Sequence, residues 1–280
     1  MLTMPSHGHR KFRRSAVVGD EAMIAMDVVR DLDLTDVLAD HRQQRATRLA
    51  MVDGRNRLTY GDMADRVQAL ATAFRALGLG EGDRLLWLGG DSFRLLECLL
   101  AAARLGGVVC PVTGRRSAAE LRHLLADCEP SVVLCGGEHL AALDAAGGVP
   151  RVRHDVTDGY EALLRSYWGS TAEFELVTGS APVLMLYTPM VAGHSVGVQV
   201  SRSALLAESV AVALRSNTEP ARRPVVIRGM DHVVSMVVAL AAILVGTRID
   251  VSTSSPVLLP AEDQDISTVV ELPRRHIRRS

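Results

Sequence analysis

Short unbroken apolar runs recur along this chain with segments of helical periodicity between them, and that alternation constrains the fold more than any single motif. Leu85-Leu86-Trp87-Leu88, Val108 to Val112 and Val132-Val133-Leu134-Cys135 are short continuous apolar runs, the pattern of strands buried on both faces. Helices separate them. Met63, Val67, Leu70, Phe74 and Leu77 fall at helical spacing, and Gly78 is placed to stop that helix. A second helix spans about Phe93 to Leu105 and ends at Gly106-Gly107. Ser117, with Glu120 three residues later, forms a capping box that opens a third helix to about Asp127. The succession predicts an α/β fold with parallel-type sheets flanked by helices.

The flanking stretches fit the same style. Residues 1–30 read as a weakly structured lead-in, and Asp33 to Asp36 can cap a helix reaching Arg45. A hairpin follows, with Ala50-Met51-Val52 and Arg57 to Tyr60 around the turn Asp53-Gly54-Arg55-Asn56. Residues 144–181 read as a connector with one short helix near Tyr160 to Ser166. Beyond it come the strand Val183 to Tyr187, the strand Gly197 to Val200 and a helix capped by Ser203 and running towards Arg215. Strand Pro224 to Ile227, a buried helix from His232 to Val245 and strand Thr247 to Val251 complete the pattern. The expected organisation is one domain over 31–255, with lobes of about 31–143 and 181–255, and a tail over 256–280.

Composition narrows the function classes. With 280 residues and 48% hydrophobic content, the chain can bury a sizeable core. Its net charge of −1 gives no global field for nucleic acid or anionic membrane. The terminal Arg clusters are short and lack the continuous basic surface that phosphate binding needs, so no nucleic-acid partner is expected. The most apolar segment, Val233 to Val245, is far shorter than the roughly 20 residues of a membrane span. Cys98, Cys110, Cys128 and Cys135 are irregularly spaced within apolar runs, which predicts buried free thiols in a reducing cytoplasm and no metal site.

Several blocks carry a resemblance. Leu58-Thr59-Tyr60-Gly61-Asp62-Met63 precedes Leu77-Gly78-Leu79-Gly80-Glu81-Gly82-Asp83-Arg84. Then come Ala102-Ala103-Arg104-Leu105-Gly106-Gly107-Val108-Val109-Cys110-Pro111-Val112 and Asp127-Cys128-Glu129-Pro130-Ser131-Val132-Val133. Each is weak alone, but order and spacing together resemble the front half of acyl-CoA synthetases, the AMP-binding adenylate-forming ligases. The resemblance implies part of the large N-terminal domain of those enzymes.

The stretch Tyr187-Thr188-Pro189-Met190-Val191-Ala192-Gly193-His194-Ser195-Val196-Gly197-Val198 falls where that family reads Tyr-Thr-Ser-Gly-Thr-Thr-Gly-(any)-Pro-Lys-Gly-Val. The family loop holds ATP phosphates with hydroxyls, freed amides and a lysine. Thr188, Gly193 and Gly197 are kept here. Pro189 removes a hydroxyl and an amide donor, Met190 adds a side chain where glycine stood, and Val191 and Ala192 replace two threonines. Val196 replaces the lysine, and among 31 basic side chains in the chain only Lys11 is a lysine. His194 could stand in for the missing charge; an ordinary exposed loop histidine is the simpler reading. Gly193 and Gly197 could equally serve only the turn between two strands.

Arg228-Gly229-Met230-Asp231-His232-Val233 resembles the family's Leu-Pro-Met-Phe-His-Val, with Asp231 at the aromatic position and His232 kept. The resemblance gives His232 a place in an acyl pocket; by itself, a histidine opening an apolar helix is more often structural. The family's later adenine-binding block, ribose-binding aspartate and C-terminal lid with its lysine have no counterpart after residue 255, so a shortened domain is expected. The resulting expectation is a non-catalytic relative of fatty-acid and acyl-CoA synthetases. It would act as a homodimer or in a complex with an acyl-processing enzyme, need no cofactor, and keep at most weak ATP, AMP or CoA binding. An acid-activating half that works with a partner chain, and an acyl- or acyl-CoA-binding regulatory protein, are the alternatives.

Overall fold

The structure, a computed structural model, describes residues 34–147, 151–155, 158–174, 177, 179–188, 195–215 and 224–251. The chain starts with helix α1 (Leu34–Arg45) and the hairpin β1 (Leu49–Asp53) and β2 (Asn56–Thr59). It continues through α2 (Tyr60–Ala76), β3 (Arg84–Leu88), α3 (Phe93–Ala103), β4 (Val108–Val112), α4 (Ala118–Cys128) and β5 (Val132–Cys135). A 3-10 turn (Gly137–His139) leads to α5 (Leu140–Ala146), β6 (Arg151–Arg153), α6 (Tyr160–Ser166), β7 (Pro182–Tyr187) and β8 (Gly197–Ser201). The last elements are α7 (Arg202–Arg215), β9 (Val225–Ile227), α8 (Val233–Val245) and β10 (Ile249–Val251).

These strands make two sheets, one of four strands in the order β2-β1-β10-β9 and one of six in the order β6-β5-β3-β4-β7-β8. All pairings are parallel except β1–β2 and β7–β8. The α/β class with parallel sheets flanked by helices is therefore the observed one. Each sheet takes strands from both 31–143 and 181–255: Met51 of β1 pairs with Ile249 of β10, and Val109 of β4 with Leu184 of β7.

Continuous apolar strands follow from this layering. In β3, Leu85 and Trp87 face a core shared with α2, α3 and the four-stranded sheet, while Leu86 and Leu88 face Leu121, Leu124 and Cys128 of α4. These four side chains of β3 are fully buried, and each leucine contributes about 1.5–3 kcal/mol on burial; only Arg84, at the start of the strand, is half-buried. A charged network ties three helices inside the first core. Glu97 of α3, with 0% exposure, accepts from Arg66 of α2 at 2.6 Å and from the Tyr160 hydroxyl of α6 at 2.8 Å. Glu161 receives Arg66 and Arg94 from its other side, at 2.9 and 3.0 Å. Burial pushes the Glu97 carboxyl up, opposed by the Arg66 charge beside it.

Helix ends match local chemistry with two adjustments. The Ser117–Glu120 capping box is present, with Ser117 N donating to the Glu120 carboxylate at 2.8 Å. A second box, Thr59–Asp62, opens α2. Ser201, not Ser203, caps α7: Ala204 N donates to its hydroxyl at 3.2 Å, because the helix already begins at Arg202. The stretch read as an irregular connector also supplies β6. Its Arg-Val-Arg sequence is half-buried at the sheet edge, where polar side chains have room, so it lacks an apolar run. The four cysteines are buried free thiols. No helix among the described residues is long and apolar enough to cross a membrane.

Candidate functional site

The carboxyl ends of parallel strands are where open α/β sheets place ligands. Here the loops after β3, β4, β7 and β9 carry the residues of interest, in two clusters. The first is the β7–β8 hairpin. Tyr187 pairs with Gly197 at its mouth, and pairing continues one step further: Thr188 N donates to Val196 O at 3.0 Å, and Val196 N donates to the Thr188 hydroxyl at 3.1 Å. The hydroxyl kept from the phosphate-loop pattern thus accepts the amide of the residue standing in the lysine position. Val196 is 61% exposed, an apolar side chain in solvent.

Gly197 has a packing reason of its own. A Cβ there would sit 2.0 Å from Met185 Cε and 3.2 Å from Asp127 Oδ2. The Tyr187 hydroxyl donates to Asp127 at 2.8 Å, and burial, followed by the nearby Cys128 and Asp127, pushes its pKa up. The His123 ring meets Ser195 O at 3.1 Å, so α4 contacts both arms of the hairpin at its mouth. Pro189, Met190, Val191, Ala192, Gly193 and His194 lie outside the described residues.

The second cluster is the β9–α8 turn. His232 is the N-cap residue of α8, but its side chain makes no capping hydrogen bond and is 75% exposed, with Nε2 3.8 Å from Asp231 Oδ1. The turn below it is anchored from the six-stranded sheet. Asp91, just after β3, accepts from Gly229 N at 2.5 Å and from Met230 N at 2.8 Å. Thr113, just after β4, donates its hydroxyl to Asp231 Oδ2 at 2.5 Å. Gly229 has φ +64, which glycine adopts without strain and which lets two successive amides face one carboxylate.

Thr188 and Gly197 are brought together in the hairpin, and His232 stands in the other cluster. Asp91, Thr113 and Asp231 were not singled out from sequence as site residues. The one local signal was the change from aromatic to Asp231; the contacts of Asp91 span 138 and 139 positions, beyond any local spacing. Among the described residues, no group of three or more His, Cys, Asp or Glu side chains could hold a metal ion.

A family model described as AMP-binding enzyme matches residues 38–269, most of the chain. The chain belongs to the AMP-binding enzyme family. Among curated members, an indoleacetate–CoA ligase of Aromatoleum aromaticum is 33% identical over 156 residues, covering 53% of this chain and 31% of that one. A long-chain-fatty-acid–CoA ligase of Thermus thermophilus is 31% identical over 226 residues, covering 78% of this chain and 40% of that one. The chain therefore spans less than half the length of these AMP-binding relatives. Solved structures share the fold. VinN bound to L-aspartate superposes with TM-score 0.70 at 18% identity, over 78% of this chain and 56% of that one. The N-terminal domain of FACL13 from Mycobacterium tuberculosis gives TM-score 0.70 at 21% identity, over 80% and 58%.

Family membership implies ATP. Among the described residues of the hairpin, the Thr188 hydroxyl accepts the Val196 amide and keeps its own proton to donate, and Val196 offers no cation where the family pattern has a lysine.

Proposed function

We propose that this AMP-binding family domain does not grip ATP phosphates and that it works without catalysis, through an acyl-type ligand at the β9–α8 turn or through protein association. The observation that carries the reading is the Thr188–Val196 pairing. It holds side by side the two positions where the family pattern presents a hydroxyl and a lysine, and the second of them carries an exposed apolar side chain here. A hydrogen bond to a charged group contributes about 1.5–3 kcal/mol, so loss of the lysine contact alone weakens phosphate binding by one to two decades. Pro189, Met190, Val191 and Ala192 remove three hydroxyls and an amide donor more.

The protein on this reading acts in the cytoplasm, as a homodimer or beside an acyl-processing enzyme, and its activity in fatty-acid metabolism is indirect. A second reading, an acid-activating ligase that uses residues from elsewhere, is favoured by the curated relatives, which are CoA ligases. Titration calorimetry with Mg·ATP separates the two. No heat up to millimolar nucleotide is expected for the native chain, with binding gained when Pro189→Ser, Met190→Gly, Val191→Thr, Ala192→Thr and Val196→Lys are combined. Micromolar affinity in the native chain overturns the non-catalytic reading in favour of the ligase.

A further inference from the structure

We propose that helix α1 is a clasp on the carboxyl end of α8 that acid opens, with His41 as the group that takes up the proton. α1 holds to the body of the fold through few side chains. Among its described side chains only Leu38 and His41 are buried, with 2% and 6% exposure, and Val37 and Arg45 are half-buried. Its ion pair to α2, Arg42–Asp65 at 2.7 Å, is exposed on both sides, where such pairs contribute little. His41 therefore carries a large share of the docking.

The seat of His41 is built around the end of α8. Its Nε2 meets Ile243 O at 2.6 Å, and a carbonyl only accepts, so Nε2 holds the hydrogen. Arg45, one turn on, donates to Val245 O at 3.3 Å. The two side chains satisfy carbonyls that a helix end leaves without internal partners. Gly246 turns the chain there with φ +74, and a Cβ on it would fall 2.0 Å from Arg45 Nη1 and 3.3 Å from His41 Cε1. Tyr60 of α2 closes the other side, with ring centroids 4.6 Å apart and its hydroxyl donating to Thr247 O at 3.1 Å.

This seat accommodates a second cation poorly. The added proton goes to Nδ1, and the imidazolium lies buried near Arg45 and Arg48, with the exposed Asp40 as the opposing carboxylate. α8 adds no titratable side chain, and burial pushes the Tyr60 hydroxyl up, so it stays neutral. The end of the α8 dipole favours a cation, and Arg45 already supplies one. Burial, the largest influence, pushes the His41 pKa down; the bond to Ile243 opposes it, and Arg45 pushes down again. A ring that stays neutral while docked and titrates at about 6.5 once released makes docking strongest above pH 6.5 and weaker as pH falls below it. Opening uncovers Tyr60 and the last carbonyls of α8, at the opposite end of that helix from the β9–α8 turn.

The test is hydrogen exchange of the native chain at pH 7.5 and 5.5, with rates corrected for the intrinsic effect of pH. One proton lost at about 6.5 in the open form sets a ceiling of about tenfold, so we expect amide protection over residues 34–45 to fall about three- to tenfold. That protection should stay below that of β3 at both pH values, since the clasp opens without unfolding the sheet. His41→Gln, which keeps a donor for Ile243 O and does not titrate, should show no such fall. Flat protection in native α1, protection equal to that of β3, or the same fall in His41→Gln overturns the clasp. Where His41→Gln leaves α1 undocked at pH 7.5, magnetic-resonance titration of the native His41 ring decides: a midpoint below about 6.5 supports the proposal, and one at or above it overturns it.

Discussion

The β7–β8 hairpin and the β9–α8 turn both depart from the family's pattern, and they depart in opposite senses. At the hairpin, polar residues of the resembled motif give way to Pro189, Met190, Val191, Ala192 and Val196, and the described ends close on backbone pairing. At the turn, an aromatic gives way to Asp231, and the new carboxylate finds the Thr113 hydroxyl while Asp91 gathers two amides from the other sheet. One region lacks side chains of the resembled phosphate pattern; the other carries groups that hold the protein to itself. Strand pairing needs only backbone, whereas phosphate recognition needs particular side chains at particular places.

The contrast breaks most easily at Asp91. Asp91→Ala leaves the Gly229 and Met230 amides without their acceptor, and a stability loss of about 2–4 kcal/mol in urea unfolding is expected from two orphaned donors. Asp91→Asn, which keeps one acceptor oxygen, should lose about half as much. An Asp91→Ala loss under 1 kcal/mol would show that the turn is held by other means. Thr113→Val comes next, at about 1.5–3 kcal/mol, the range for a hydrogen bond to a charged group. Combining it with Asp231→Leu should restore part of that loss, and strict additivity of the two would deny the bond its energetic role. The smallest effect belongs to the hairpin. Val196→Lys should change stability by no more than about 0.5 kcal/mol, since the side chain is 61% exposed, and by itself should create no detectable ATP binding. A micromolar site produced by that one change would mean that the loop had kept its phosphate geometry and lacked only a cation.

Much of the fold was legible in the sequence, because the signals were local. Leu85 to Leu88 and Val132 to Cys135 showed double-sided burial in unbroken apolar runs, and Ser117 with Glu120 marked the start of α4 to the residue. The strand β6 was hidden because Arg151 and Arg153 lie at a sheet edge and need no apolar run. The candidate site was legible only in part. His232 was placed by the motif around it, but its exposure was not, since nothing in one sequence tells which face of a turn looks outward. Asp91 and Thr113 reach the turn from across the seam between the sheets, and through-space partners of that kind leave no spacing to read.

The interleaving of strands has a consequence for the birth of the molecule on the ribosome. β10 sits between β1 and β9, so β1, made some two hundred residues earlier, gains a neighbour on that side only when Ile249 to Val251 are joined to it. Until synthesis passes that point, Met51, Val52 and Asp53 present unpaired backbone on one side of the hairpin. A stall before residue 251 yields a product that cannot close its smaller sheet.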